Sequence, residues 1–221
     1  MATQDDLKRM AAHKALELVP HGEYIGVGTG STVKYFIEAL AASGKAIKGA
    51  VSTSSSTSAL LRQHGIAEVG LNEVNGLALY VDGADEINHS LQMIKGGGGA
   101  LLNEKIVASA SRQFVCIADE SKYVARLGKF PLPVEVIEHA RSLVSRQLLK
   151  LGGEPELRIG VKTDNGHQIV DVSGLNLDQP MSMEDAINHI PGVVENGIFA
   201  RRPADVLVLA RAGGVEMVYA K

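Results

Sequence analysis

The sequence feature that most constrains the fold is a repeated order of short apolar strand, glycine- or serine-rich loop, and helix. Apolar segments at 24–27, 77–81 and 114–118 have the length and composition of buried strands, and helical patterns at 31–40 and 100–110 lie between them. Strands that alternate with helices are typical of a parallel sheet with right-handed crossovers. We therefore expect an α/β protein with a mostly parallel sheet, and place 93–94 among its short strands.

A second pattern begins after the proline-rich segment 129–133. Strand 134–137, helix 138–151, strands 157–162 and 167–172, helix 183–190 and strand 193–199 follow in the order β-α-β-β-α-β. Asn165-Gly166, between the two middle strands, is a strong hairpin signal because both residues tolerate positive φ. Residues 204–211 again form a buried-type strand, which predicts a return to the first sheet. The predicted domains are therefore 1–129 with 200–221, and an inserted α+β (ferredoxin-like, split βαβ) domain at 130–199.

Composition narrows the classes of partner. The net charge is −3 and no long block of like charge occurs, which argues against nucleic acid or an anionic membrane as the main partner. No apolar stretch approaches the ~18 residues that cross a bilayer. The acidic, polar N-terminus differs from a secretory signal, and Cys116, the single cysteine, excludes an internal disulfide. We expect a cytoplasmic protein.

Three loops at predicted strand ends have unusual composition, and ligands bind at such ends in open parallel sheets. The first, 26–32, resembles a dinucleotide fingerprint, but Ser31 stands in place of the third glycine and no P-loop lysine is present. It suits a phosphate or another small anion, since backbone N–H groups and a helix N-terminus meet there. The alternative is a tight turn before a capped helix. The serine-rich stretch 52–58 is interpreted as another strand-to-helix loop whose hydroxyls cap the next helix.

The other two loops carry charge. Asp82, Asp85 and Glu86 are carboxylates that fit Mg²⁺ binding, acid/base chemistry or turn capping, and hydrogen bonds to sugar hydroxyls are the better functional interpretation because no complete ligand shell is visible. Lys95 precedes four glycines that allow the backbone to wrap around a ligand. Glu104 follows in the first turn of a helix. The alternative interpretation is that its carboxylate only interacts favourably with the helix dipole and has no further function.

Metal and nucleophile motifs do not appear in the sequence. The seven histidines show neither His-x-x-x-His nor His-x-His spacing, and no G-x-S-x-G elbow occurs. We therefore expect no metal site.

Taken in order, the motifs resemble type A ribose-5-phosphate isomerases over nearly the whole chain. The matching segments are GVGTGST at 26–32, YVDGADE at 80–86, KGGGGA at 95–100, KFPLPVE at 129–135, LGG at 151–153, TDNG at 163–166, IPGV at 190–193 and AD at 204–205. Each motif is weak alone, and the ordered set is specific. The resemblance implies a Rossmann-like catalytic domain with a smaller α+β lid, and interconversion of D-ribose 5-phosphate and D-ribulose 5-phosphate without metal or organic cofactor.

Site residues follow from the same resemblance. Glu104 matches the catalytic base, with Asp82, Asp85 and Lys95 around the reacting end of the sugar. The substrate-binding positions implied are Thr29, Gly30, Ser31, Thr32, Asp82, Gly83, Ala84, Asp85, Lys95, Gly96, Gly97, Gly98, Lys122 and Lys8.

Two alternatives remain open at this stage. One is a relative of the coenzyme A transferases that uses Glu104 as a nucleophile, and the other is a non-enzymatic sensor of sugar phosphates. A pentose 5-phosphate as substrate and a homodimer or homotetramer as assembly are implied by the family resemblance alone.

Overall fold

The structure is a computed structural model and describes residues 2–220. Within them the chain forms the α-helices α1 (Gln4–Ala15), α2 (Ser31–Ala42), α3 (Ser55–Gln63), α4 (Leu101–Ser109), α5 (Arg141–Lys150) and α6 (Pro180–Asn188). The strands are β1 (Tyr24–Val27), β2 (Gly49–Ser52), β3 (Leu77–Asp82), β4 (Glu86–Ile87), β5 (Met93–Ile94), β6 (Ser111–Asp119), β7 (Leu132–Val136), β8 (Glu154–Leu157), β9 (Gln168–Ser173), β10 (Val193–Asn196), β11 (Ile198–Phe199), β12 (Val206–Arg211) and β13 (Gly214–Tyr219).

These elements belong to two compact units. The first contains the described residues up to Ala84, Asn103–Tyr123 and the described residues from Ala204 onward, and the second contains Asp85–Leu102 and Val124–Pro203. The domain limits predicted from the sequence concern folding domains and stay a prediction.

The first unit is built on a six-stranded sheet in the order β13-β12-β6-β3-β1-β2. All neighbouring pairs are parallel except β12 with β13, which form an antiparallel edge. The predicted mostly parallel sheet is confirmed, and so is the return of the chain to it through β12. The antiparallel edge strand β13 was not predicted. Because the other five strands run in one direction, their carboxyl ends share one edge of the sheet.

Helix packing in this unit follows from apolar spacing. Leu7, Ala11 and Ala15 recur at helical spacing on α1 and are buried, and Phe36 and Ile37 of α2 join the same core. The side chains of Thr3 and Asp6 form a reciprocal capping box at the start of α1.

The second unit contains a four-stranded antiparallel sheet in the order β10-β7-β9-β8, with α5 and α6 in the two connections. This is the predicted split βαβ arrangement, and it is confirmed. Its core includes Val134, Val144, Leu148 and Val170. A small three-stranded sheet, β11-β5-β4, also lies in this unit. Strand 93–94 belongs to this small sheet, so its predicted place in the parallel sheet is wrong.

Two strand predictions in the second unit are wrong in detail. Strand 157–162 was predicted, whereas β8 ends at Leu157, because Gly160 takes φ +75° and Ile159 points to solvent with 85% of its surface exposed. The predicted turn nevertheless forms, with Gly166 donating its N–H to Thr163 O at 2.8 Å. Strand 193–199 is divided at Gly197, whose N–H bonds Pro133 O and whose carbonyl accepts from Lys95 N.

The helices formed by residues 2–220 include none that is long and apolar enough to cross a membrane.

Candidate active site

The predicted site residues are distributed over both units. Thr29 to Thr32, Asp82 to Ala84, Glu104, Lys122 and Lys8 lie in the first unit, and Asp85 and Lys95 to Gly98 lie in the second. In the first unit the 29–32 loop follows β1, Asp82 ends β3 and Lys122 follows β6. These three positions are at the carboxyl edge of the parallel sheet, where the strand directions place them together.

Asp82 is fully buried, and its carboxylate is fixed by several donors. Oδ1 accepts the N–H of Thr29 at 3.1 Å and that of Gly83 at 2.7 Å, and Oδ2 accepts the hydroxyl of Tyr80. A Cβ atom on Gly28 would lie 1.9 Å from the Asp82 carboxyl carbon, so only glycine allows this approach. The carboxylate is therefore held against the backbone of the first glycine loop.

The first glycine loop is supported by a cluster of hydroxyl groups from the serine-rich stretch. The Thr29 hydroxyl donates to Ser54 Oγ at 2.7 Å and lies 3.0 Å from Thr53 Oγ1. Thr57 Oγ1 donates to Gly28 O at 2.6 Å. Ser54 also caps α3 by accepting from Thr57 N, so the predicted capping role is confirmed. Sequence reasoning missed the contacts of these hydroxyls with the loop.

Glu104 is in the first turn of α4 and is 4% exposed. Its charge affects Tyr80. The pKa of Tyr80 is raised well above its ordinary value, mainly by burial and then by the negative charges of Asp82 and Glu104. Tyr80 therefore stays a neutral hydrogen-bond donor to Asp82 at any pH near 7. Its ring packs on Phe114 with centroids 4.7 Å apart.

The two predicted lysines of the first unit differ in their surroundings. Lys122 ends a short 3-10 helix, Glu120–Lys122, after β6 and is partly exposed. Lys8 lies on α1 with its Nζ 3.7 Å from Asp5 Oδ1. The roles of both lysines in binding substrate stay predictions.

In the second unit, Asp85 organises the second glycine loop. Its Oδ2 accepts the N–H of Gly97 at 2.8 Å, and a Cβ atom on Gly97 would lie 2.6 Å from Asp85 Oδ1. Gly96 takes φ +105° and Gly99 φ +76°, conformations that other residues rarely adopt. Gly96 and Gly99 are thus required by the backbone path, and Gly97 by the close approach of Asp85.

Lys95 and Glu86 are buried charged residues of the same unit, with exposures of 3% and 4%. Lys95 Nζ lies 5.6 Å from the centre of the Phe199 ring, within the range of a cation–π contact. Glu86 accepts the N–H groups of Gly128 and Phe130, each at 2.7 Å. Glu86 therefore anchors backbone, whereas Asp85, its neighbour in the sequence, faces the glycine loop.

Sequence reasoning also missed Arg158, which contacts the second glycine loop through the carbonyl groups of Gly96 and Gly97. The prediction of a regular strand at 157–162 gave no reason to expect a functional contact from Arg158. Tyr80, by contrast, is part of the YVDGADE motif, two residues before Asp82, and that motif could have identified it.

Two other features bear on the site. Among residues 2–220 no group of three or more His, Cys, Asp or Glu side chains is arranged to hold a metal ion. A cleft of about 450 Å³ lies at the amino-terminal ends of β1 and β3, lined by residues such as Glu23, Asn75 and Arg112, and its described lining includes none of the predicted site residues.

Comparison with known proteins decides the family. The model of the family described as ribose 5-phosphate isomerase A (phosphoriboisomerase A) matches residues 49–214, well over half of the chain. A ribose-5-phosphate isomerase A of Neisseria meningitidis serogroup C is 71% identical over 219 residues, which cover 99% of this chain and 98% of the relative. The chain belongs to the ribose 5-phosphate isomerase A family. The resemblance found from the motifs is thereby confirmed.

Solved structures agree with this assignment. The crystal structure of ribose 5-phosphate isomerase A from Neisseria gonorrhoeae has a TM-score of 0.99 at 69% identity, covering 100% of this chain and 99% of its own. A D-ribose-5-phosphate isomerase in complex with phospho-erythronic acid has a TM-score of 0.94 at 37% identity, covering 98% of this chain and 99% of its own. The α/β fold class is that of the family.

Proposed function

We propose that this protein interconverts D-ribose 5-phosphate and D-ribulose 5-phosphate, an aldose–ketose isomerisation in the non-oxidative pentose phosphate pathway. The observation that carries the proposal is the 71% identity, over 99% of the chain, with a relative named ribose-5-phosphate isomerase A. The related enzyme complexed with phospho-erythronic acid supports a phosphorylated sugar as the class of ligand.

Glu104 is the proposed base. The open-chain aldose loses its C2 proton to the carboxylate. The C2–H electron pair forms the C1–C2 double bond and the C1=O π pair moves to O1, which gives an enediolate. Returning the proton to C1, with transfer of the hydroxyl proton from O2 to O1, leaves the carbonyl at C2. One positioned carboxylate can serve both carbons. The burial of Glu104 supports this role, because a dry site strengthens its interactions with the reacting atoms.

The enediolate carries negative charge on oxygen, which fixed positive groups stabilise. We assign this role to Lys95 and to backbone N–H groups of the second glycine loop other than that of Gly97, which donates to Asp85. Asp82 is proposed to exchange the proton needed to open the furanose ring.

Asp85, with Gly83 and Ala84 beside it in the sequence, is proposed to orient the sugar hydroxyls. The second unit supports the role of Asp85, since its contact with Gly97 ties it to the glycine loop.

Phosphate recognition is assigned to Thr29, Gly30, Ser31, Thr32 and Lys122, with Lys8 as a further positive charge. Gly30 is the N-cap of α2, and the backbone N–H groups of a helix N-terminus favour an anion. Binding energy from this remote phosphate positions the reacting carbons.

A homodimer or homotetramer is proposed from the family resemblance. A cytoplasmic location without a nucleic-acid or membrane partner is proposed from net charge, hydropathy and the polar N-terminal sequence. Light scattering on the purified protein measures the assembly directly, and a monomer would contradict it.

The decisive experiment is turnover of ribose 5-phosphate by the purified protein and by Glu104→Gln. A positioned acid/base contributes about 10²–10⁴-fold, so we expect the variant to lose at least about a hundredfold in kcat. It should still bind phospho-erythronic acid, since the amide keeps the size of the carboxylate.

Glu17→Gln is the matched control, because Glu17 is exposed and pairs with Lys14. Its kcat should equal that of the wild type. Near-normal turnover in Glu104→Gln would remove Glu104 as the base, and absence of wild-type turnover would reject the isomerase function in favour of a transferase or a sensor.

A further inference from the structure

Arg158 is the centre of a hydrogen-bonded group in the second unit that the roles above do not include. Its Nε donates to Asp171 Oδ2 at 2.8 Å and its Nη2 to Asp171 Oδ1 at 2.5 Å, a bidentate pair. Its Nη1 donates to Gly96 O at 3.1 Å and to Gly97 O at 3.2 Å. The Arg158 and Asp171 side chains are only 18% and 26% exposed. One guanidinium therefore joins β9 to two successive carbonyl groups of the second glycine loop.

These contacts restrain a segment that has little stiffness of its own. Glycine backbones adopt many conformations, so a loop of four glycines needs outside partners to keep one path. Gly97 is held at both of its polar groups, because its N–H donates to Asp85 and its carbonyl accepts from Arg158. Gly96 O accepts from Gly99 N at 3.0 Å as well as from Arg158.

Fixing a carbonyl also fixes the next N–H. In a planar trans peptide the C=O of one residue and the N–H of the next point in opposite directions. The Arg158 contacts thus aim the N–H of Gly97 toward Asp85 and the N–H of Gly98 away from the guanidinium. Gly97 and Gly98 are exposed, so the orientation of their peptides bears on what a ligand meets.

We propose that Arg158, anchored by Asp171, is a positioning residue that sets the conformation of the glycine loop 95–99. The inference rests on the proposed function insofar as that loop binds substrate. Lysine cannot replace arginine here, because a single ammonium lacks the planar fork that serves Asp171 and two carbonyl groups together.

The chain offers a matched control for this pair. Arg126 and Asp178 form another arginine–aspartate pair in the same unit, in which Arg126 Nε donates to Asp178 Oδ1 at 3.0 Å. Their side chains are 76% and 49% exposed. Arg126→Lys and Asp178→Asn therefore test what the loss of an arginine fork costs at a pair whose hydrogen bonds do not involve the glycine loop.

The experiment compares Arg158→Lys, Asp171→Asn and the double variant Arg158→Leu/Asp171→Leu with these controls. Measured are kcat, KM, the Kd for phospho-erythronic acid, the Tm and amide hydrogen exchange at residues 96–99. Misplacing a positioning group by about 1 Å costs on the order of a hundredfold, so we expect kcat/KM to fall by about ten- to a hundredfold in Arg158→Lys and Asp171→Asn. Exchange should accelerate within the loop, and both control variants should match the wild type.

The double variant separates positioning from stability. Leucine at both positions leaves no uncompensated charge, so it should keep a Tm near that of the wild type, yet kcat/KM should stay low and loop exchange fast. The inference is overturned if the double variant recovers kcat/KM with its Tm, or if Arg158→Lys and Asp171→Asn both keep wild-type loop exchange. Because exchange is measured without turnover, a wild type that fails to isomerise ribose 5-phosphate would reject the proposed function and leave the exchange result to decide the role of Arg158.

Discussion

At the residue scale, Tyr80 shows how a buried polar side chain can control a neighbouring carboxylate. The Tyr80 hydroxyl donates to Asp82, and its raised pKa keeps the proton on the phenol. The carboxylate of Asp82 is thereby fixed by Tyr80 from one side and by the N–H groups of Thr29 and Gly83 from the other. If Asp82 exchanges the ring-opening proton, the geometry of that exchange depends on Tyr80.

Tyr80→Phe keeps the ring on Phe114 and removes only the hydroxyl. A hydrogen bond to a charged group is worth about 1.5–3 kcal/mol, so we expect kcat to fall by about tenfold and the free energy of unfolding to fall by up to about 3 kcal/mol. Steady-state kinetics and urea unfolding measure the two effects. Tyr219→Phe, at an exposed tyrosine, should change neither. Unchanged kcat in Tyr80→Phe would show that Asp82 needs no orientation from Tyr80.

The raised pKa of Tyr80 also predicts that the free energy of unfolding falls at alkaline pH. Folding raises the pKa of Tyr80 above its value of 10.0 in the unfolded chain. The unfolded state therefore releases this proton first as pH rises, and the stabilising contribution is complete below about pH 10 and is lost above it. The difference in unfolding free energy between wild type and Tyr80→Phe, measured from pH 8 to 11, should shrink above about pH 10. A difference that grows with pH would contradict the raised pKa.

At the element scale, the start of α3 has two functions in one turn. Ser54 caps the helix, and Thr57, in its first turn and 2% exposed, donates to the carbonyl of Gly28. Thr57 Oγ1 also lies 3.2 Å from Thr29 Oγ1. Helix α3, which follows β2, therefore supports the loop after β1, which is proposed to bind phosphate.

Thr57→Val tests this support, because valine keeps the shape of threonine and lacks its hydroxyl. The loss of one hydrogen bond of about 1 kcal/mol predicts that KM for ribose 5-phosphate rises about fivefold, with kcat changed by less than about twofold. Thr57→Ser restores the hydroxyl and should restore KM. Ser58→Ala, which removes a hydroxyl bonded to Glu68, is the control. Equal KM values in Thr57→Val and the wild type would separate α3 from substrate binding.

At the scale of the whole molecule, the proposed mechanism assigns charge stabilisation to Lys95 and backbone N–H groups, so it requires no metal. We expect turnover of ribose 5-phosphate to stay unchanged after exhaustive treatment with EDTA and gel filtration. Phosphate-free buffer and a metal-dependent enzyme treated in parallel are the controls. Activity that disappears and returns with one specific divalent ion would overturn the mechanism.

Local sequence was sufficient for much of the fold. Short apolar runs located β1, β3 and β6, because strands of a parallel sheet are buried on both faces. Helical spacing located α2 and α4. The Asn165-Gly166 turn was also predictable, since it depends on residues within four positions of one another. The glycine loops and the carboxylates beside them were identified from their order along the chain.

Tertiary structure decided which side chains those loops meet. Arg158 and Gly96 are 62 residues apart, and Thr57 and Gly28 are 29 apart. Apolar periodicity reports only on burial and is silent about which distant hydroxyl or guanidinium satisfies a given carbonyl. The exposed Ile159 misled the strand prediction for the same reason: its apolar character indicates burial, while Gly160 turns the chain away from the sheet. The residues proposed to do the chemistry could be identified from the sequence, whereas those that hold them in position emerged only when the folded chain brought remote segments within hydrogen-bonding distance.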